Sequence, residues 1–218
     1  NYKEALGILL PGVVNSLALS GVVTVGTLFL ALMGAYFFAR YRMPLSGFLW
    51  WVFLVLMLLP AVVNLVPLFS LLGRLKLLNS LVGLGLVGIA GGQVFCMYVL
   101  RGFIEEIPRD YFDAAEIDGA SHWSQLWRIV VPFCWPVLAT LGVLVFVNQW
   151  NDFLVPLVAL RDPELFPVGV RLIYLDGEYI KRWGVITAAF TVSSLPLLVL
   201  FLIASGAFVR GFERPFLR

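Results

Sequence analysis

The chain has 218 residues, 61% hydrophobic and 13% charged, with a mean hydropathy of +0.96. A soluble domain is about 45–50% apolar and about 25% charged, so a water-soluble fold is excluded. The formal net charge of +2 gives no argument for a nucleic-acid partner, and none is expected.

Five uncharged stretches follow in chain order: Gly12 to Ala39, Met43 to Gly73, Leu77 to Leu100, Ile129 to Asn151 and Trp183 to Val209. Each reaches the roughly 20 residues that an α-helix needs to cross hydrocarbon, which predicts an all-α polytopic bundle with five spans. The short alternating segments of a β-barrel are absent. Asn1 to Leu10 holds Lys3 and Glu4 and no signal-type apolar core, and further chain before Asn1 is expected. The first span ends at Arg40 and Arg42. Pro60 and Pro67 break the second, so its later half reads as kinked or interfacial. The third contains Gly88 and Gly92, a spacing that lets two helix backbones approach closely. Cys96 and Cys134 lie in apolar surroundings and read as small buried hydrophobes.

Between the third and fourth stretches stands the polar interval "DAAEIDGASHWSQLWRIVVP", Asp113 to Pro132. Pro108, Arg109 and Asp110 predict a helix start with Asp110 as the cap, and Gly119 predicts a left-handed stop. At helical spacing Tyr111, Ala114, Ala115 and Asp118 share one face, suited to close docking. A helix of about two turns is marginal alone in water, so packing must hold it, on its own domain or on a partner. The basic residues divide almost equally between the two sides of the predicted topology, so they leave orientation open.

This interval resembles the EAA loop of the membrane subunits of ABC importers, whose pattern is E-A-A, three residues, G, nine residues, I, any residue, L-P. Asp113, Ala114, Ala115, Gly119, Ile129 and Pro132 match it; Asp113 replaces Glu and Val131 replaces Leu. A second segment, "NQWNDFLVPLVAL" from Asn148, is similar to the W-N-x-[FY]-L-x-P-L segment of carbohydrate permeases. "NSL" at Asn15, "AYFFAR" at Ala35 and the closing "FVRGF" resemble MalG-like members of that family. The resemblance implies the type I importer (MetI-like) fold, normally six spans with one before the NSL helix and hence a sixth span expected before Asn1, in a bacterial or archaeal cytoplasmic membrane. It implies one permease domain over 1–218, with a cytoplasmic coupling loop at about 102–131. Tyr111, Asp113, Ala114, Ala115, Asp118, Gly119 and Ala120 would meet the ATPase. A homologous MalF-like permease, two ATPase subunits, an extracytoplasmic solute-binding protein and membrane lipid are the implied partners.

No Gly-Lys-Ser/Thr phosphate loop is present, since Lys3, Lys76 and Lys181 each lack a preceding Gly, so this chain cannot hydrolyse ATP by that chemistry. ATP and Mg are expected on the partner ATPases and no cofactor on this chain. With neither GxSxG nor HExxH, and with the single His122 in the polar interval, nothing reads as a catalytic or metal site. Polar groups within spans are expensive and mark solute paths. Asn148, Gln149, Trp150, Asn151 and Asp152 form such a cluster, with Asn64 and Gln93 as weaker candidates; tying helices together is the competing role. An importer of a non-sugar solute, or an ion-driven secondary transporter, would share part of this pattern.

Overall fold

The computed structural model describes residues 1–41, 44–58, 61–177 and 182–212, with backbone alone for 61–62 and 205–212. Arg42, Met43, Pro60 and Lys181 lie outside these residues, as do the side chains of the FVRGF segment.

The first helix, α1 (Tyr2–Arg40), has 39 residues, about 58 Å at 1.5 Å per residue and longer than a bilayer's hydrocarbon. It begins ten residues before the predicted stretch because Ala5 and Leu9 are fully buried in a cluster with Ala188 and Ala189 of the last helix. The expected second span is two short helices, α2 (Ser46–Leu58) and α3 (Leu65–Arg74), separated by a 3₁₀ turn at Ala61–Asn64. Pro67 is in the first turn of α3, where its missing N–H has no intrahelical partner to lose; it starts that helix rather than kinking it. Next come α4 (Leu81–Glu105), α5 (Arg109–Ile117) and α6 (His122–Gln125), then a π turn at Leu126–Val130 that runs into α7 (Val131–Asn151). The π turn sits just before Pro132, whose ring would crowd the carbonyl four residues back in a regular α-helix. The chain ends with α8 (Leu154–Ala159), α9 (Val168–Asp176) and α10 (Trp183–Phe212).

Among the described residues four helices are long and apolar enough to cross a membrane: Tyr2–Arg40, Leu81–Glu105, His122–Asn151 and Trp183–Ala204. The break expected in the second stretch takes the form of two short helices, α2 and α3, and among the described residues the chain still passes between the two ends of the bundle five times. At one end Tyr41 bonds His122; at the other the Asn79 backbone N–H donates to Ala159 O at 2.9 Å, so α2 and α3 together make one passage.

α1 and α4 pack along the predicted glycines. A Cβ at Gly92 would lie 3.2 Å from Thr27 Cγ2, and one at Gly88 would lie 2.9 Å from Val23 Cγ2. Large apolar side chains remain on the outside, among them Leu58 (82% exposed), Trp51 (70%) and Ile203 (72%). Such a surface requires lipid or another chain against it. Cys96 and Cys134 are free and buried.

Candidate functional site

The loop helix α5 starts after Pro108, whose extended ψ of 136° ends the preceding turn. Asp110 is already helical and makes no capping hydrogen bond; the expected cap is corrected to a first-turn carboxylate facing the positive end of the helix dipole. The stop is as predicted. Gly119 has φ +73°, its N–H donates to Glu116 O at 3.0 Å, and the Ala120 N–H donates to Ala115 O at 2.8 Å. This pair of bonds closes a Schellman motif. A Cβ on Gly119 would meet nothing within 4 Å, so the backbone angle, not space, requires glycine. Ser121 starts the next turn by accepting from Ser124 N at 3.3 Å.

The face of α5 differs from the expected one. Phe112, 1% exposed, is the inward anchor. Tyr111 leans on Phe133, ring centroids 5.1 Å apart, and Ala115 and Ala120 are half-buried. The outer face carries Asp113, Ala114, Ile117 and Asp118, with Ile117 87% exposed. Ile117 stands as an apolar tip between the carboxylates of Glu116 and Asp118.

Side chains from the end of α1 hold the loop in place. Arg40 Nη2 pairs with Glu116 Oε1 at 3.2 Å, and the guanidinium lies over the Phe112 ring, 4.0 Å from its centroid. Tyr36 OH donates to Gln125 Oε1 at 3.0 Å, and Tyr41 OH bonds His122 at 2.9 Å. Gln125, 1% exposed, donates in turn to Ala120 O at 3.4 Å. His122 is thus a hydrogen-bonded loop residue.

At the other end of the bundle the predicted polar cluster does not converge. Successive helical side chains point about 100° apart, so Asn148 is exposed while Gln149 lies over Gly88 of α4. Trp150, 3% exposed, stacks on Phe146 with centroids 6.1 Å apart. Asn151 donates to Val147 O at 3.0 Å, and Asp152 accepts from Leu154 N at 3.2 Å, starting α8. Only Trp150 and Asn151 of this group line a cavity of about 480 Å³ between the end of α7, α9 and α10. Phe153, Asp176, Phe190, Ser193 and Ser194 join them on its wall. Ser193 and Ser194 spend their protons on Phe190 O and Thr191 O, leaving oxygen lone pairs as acceptors. Gln93 is half-buried within α4 and Asn64 is exposed before α3; neither reaches this wall.

The α9 side of the cavity is fixed by groups that sequence reasoning missed. Arg171 donates to the carbonyls of Ile8 (3.1 Å), Phe166 (3.3 Å) and Pro163 (2.7 Å). Burial lowers the pKa of this guanidinium and the Glu164 carboxylate opposes the shift; it remains charged. Ser16 Oγ accepts from Val168 N at 2.9 Å and Asn15 Nδ2 donates to Glu164 O at 2.7 Å. Asn79, left-handed at φ 56°, accepts from the N–H groups of Arg161 and Asp162, each at 2.9 Å.

Residues 27–214 match the model of a family described as "binding-protein-dependent transport system inner membrane component". Over 189 residues the chain is 37% identical to a probable ABC transporter permease protein of Pyrococcus horikoshii, covering 86% of this chain and 68% of that one. It is 35% identical to the sulfoquinovosyl glycerol transport system permease protein of Agrobacterium fabrum, covering 90% and 69% respectively. It is 30% identical to an sn-glycerol-3-phosphate transport system permease protein of Escherichia coli, covering 90% and 70%. Among solved structures, a bacterial ABC transporter involved in alginate import superimposes with a TM-score of 0.84 at 22% identity, over 95% of this chain and 78% of that one; at that identity the likeness speaks for the fold.

Proposed function

Because the chain belongs to the family of binding-protein-dependent transport system inner membrane components, we propose that it is the permease subunit of an ATP-driven importer for a sugar or sugar derivative. Its relatives named for sulfoquinovosyl glycerol and sn-glycerol 3-phosphate support that solute class. The whole chain acts as one permease domain with the loop at about 102–131 as its cytoplasmic contact. ATP is bound with Mg and hydrolysed on two separate ATPase subunits; a homologous MalF-like permease completes the pathway, and an extracytoplasmic binding protein delivers the solute.

The observation that carries this reading is α5: a short, Schellman-capped helix held on its own domain by Phe112, with Asp113, Ala114, Ile117 and Asp118 turned outward. In this role Ile117 enters an apolar depression on the ATPase while the carboxylates meet a basic rim. Tyr111, Ala115, Gly119 and Ala120 hold the helix in shape for that contact. ATP-driven closure of the ATPases moves α5, and the bundle alternates between outward and inward openings. Asn151, on the cavity wall, takes the solute by amide hydrogen bonding, with the buried Trp150 ring backing that wall; Asn148, Gln149, Asp152, Asn64 and Gln93 serve the path more distantly.

The test is co-purification of the chain in detergent with its ATPase and permease partners, wild type against Ile117→Arg, which sets a bulky charge on the outward apolar tip of α5. Association and solute-stimulated ATP hydrolysis are expected in the wild type and lost in the variant. A variant that assembles and turns over normally would sink the reading.

A further inference from the structure

α1 is fastened by side chains to both ends of the molecule. At the loop end Arg40 grips α5 at two points one turn apart, over the Phe112 ring at 4.0 Å and against Glu116 at 3.2 Å. The ion pair is half in solvent and screened, whereas Phe112 is buried, so the cation–π contact carries most of the grip. At the far end Ser16 and Asn15 bond Val168 and Glu164. The Arg171 side chain lies across Gly12, where a Cβ would come within 2.5 Å of its Cδ. Val168 and Gly169 line the cavity. The one proline of α1, Pro11, precedes Ser16, so about 36 Å of proline-free helix joins the two fastenings. A rigid element with defined contacts at both ends is the physical means by which a displacement crosses a molecule.

We propose that Arg40 is the positioning residue through which movement of α5 is handed to α1, and that α1 carries this movement to the α9 wall of the cavity. The inference rests on α5 being the ATPase contact. It assigns the far-end response to α1 rather than only to α4 and α7, the long helices that flank the loop in sequence.

The test uses the complete transporter, with partner permease and ATPases, in liposomes. Leu10→Cys places a thiol on the exposed far end of α1, where the native side chain is 52% exposed, while Cys96 and Cys134 are buried. Its labelling rate with a membrane-impermeant maleimide is measured with and without ATP and vanadate. ATP is expected to change that rate about fivefold or more. Arg40→Gln should bring the change below about twofold with the ATPase subunits still bound, and Arg40→Lys should retain at least half of it. Phe112→Leu with Glu116→Gln removes both partners of Arg40 while keeping apolar bulk, so it decides the matter if Arg40→Gln does not accumulate; the same collapse is expected. A full ATP response in Arg40→Gln or in that double variant, or no response in the wild type, overturns the proposal. Ile117→Arg separates it from the reading beneath: if the ATPases stay bound to that variant, α5 is not their contact and both fall.

Discussion

Gly119 shows what a single backbone angle contributes. With φ +73° and open space around it, a side chain there costs only conformational strain, about 1 kcal/mol for alanine and less for asparagine, which tolerates the left-handed region. Amide exchange at Ala120 is therefore expected to quicken about fivefold in Gly119→Ala, with Gly119→Asn between it and the wild type; equal rates in all three would refute the conformational account. Phe112 is the opposite case, since it holds by volume. Phe112→Ala should cost about 3–5 kcal/mol of local packing and expose the loop to proteolysis near Ile117 while the long helices stay intact. Gly119 was legible in the sequence because its requirement is local. Phe112 was not, because its partner Arg40 lies far away in the chain. Asp110 was misjudged because a cap needs non-helical backbone, and the extended residue before α5 is Pro108.

Packing between elements was legible where it depends on missing atoms. The Gly88 and Gly92 spacing predicts close approach, and both glycines face α1. Gly91, beside them, faces open space, which makes an internal control. Gly88→Ala, whose Cβ would run into Gln149 and Val23, should lower the thermal midpoint in detergent by several degrees, whereas Gly91→Ala should leave it unchanged or raise it slightly. Parallel losses would mean that the contact is not specific to Gly88. Asn79 ties the α3–α4 connection to the residues after α8 with two accepted hydrogen bonds and a left-handed φ. Its change to alanine should cost about 2–4 kcal/mol, and Asn79→Asp, which keeps the accepting oxygen, appreciably less; chemical denaturation in detergent reads the difference. That Asn148 to Asp152 part company was not legible, since neighbours in sequence diverge around a helix and only the third dimension decides which of them meets the cavity.

At the scale of the molecule, the two ends are chemically distinct: one bears α5 with its outward carboxylates, the other Arg171 and Asn79 reading backbone carbonyls and amides. The five apolar stretches foretold this two-ended layout, although the second is crossed by α2 and α3 together. The break was visible in the prolines, since the turn at Ala61–Asn64 falls between Pro60 and Pro67 in the sequence, but that Pro67 would begin a helix rather than kink one was not. The proposed orientation predicts that Glu164→Cys reacts with an impermeant maleimide in intact cells expressing the chain with its partners, and that Glu106→Cys, exposed beside α5, reacts only after permeabilisation. Reversal of that pattern would turn the molecule over and remove α5 from the cytoplasm.

The π turn at Leu126–Val130 gives the loop its aim. Such a turn holds about one residue more than a regular helical turn, so rewinding the segment as plain α-helix with all its residues kept would swing everything on the loop side by about 100°. Gln125 would leave Tyr36, Phe112 would leave Arg40, and α5 would face a different compass bearing while every span kept its composition. The chain thus sets the heading of its contact with the outside world by the length of one turn, a quantity to which hydropathy is blind.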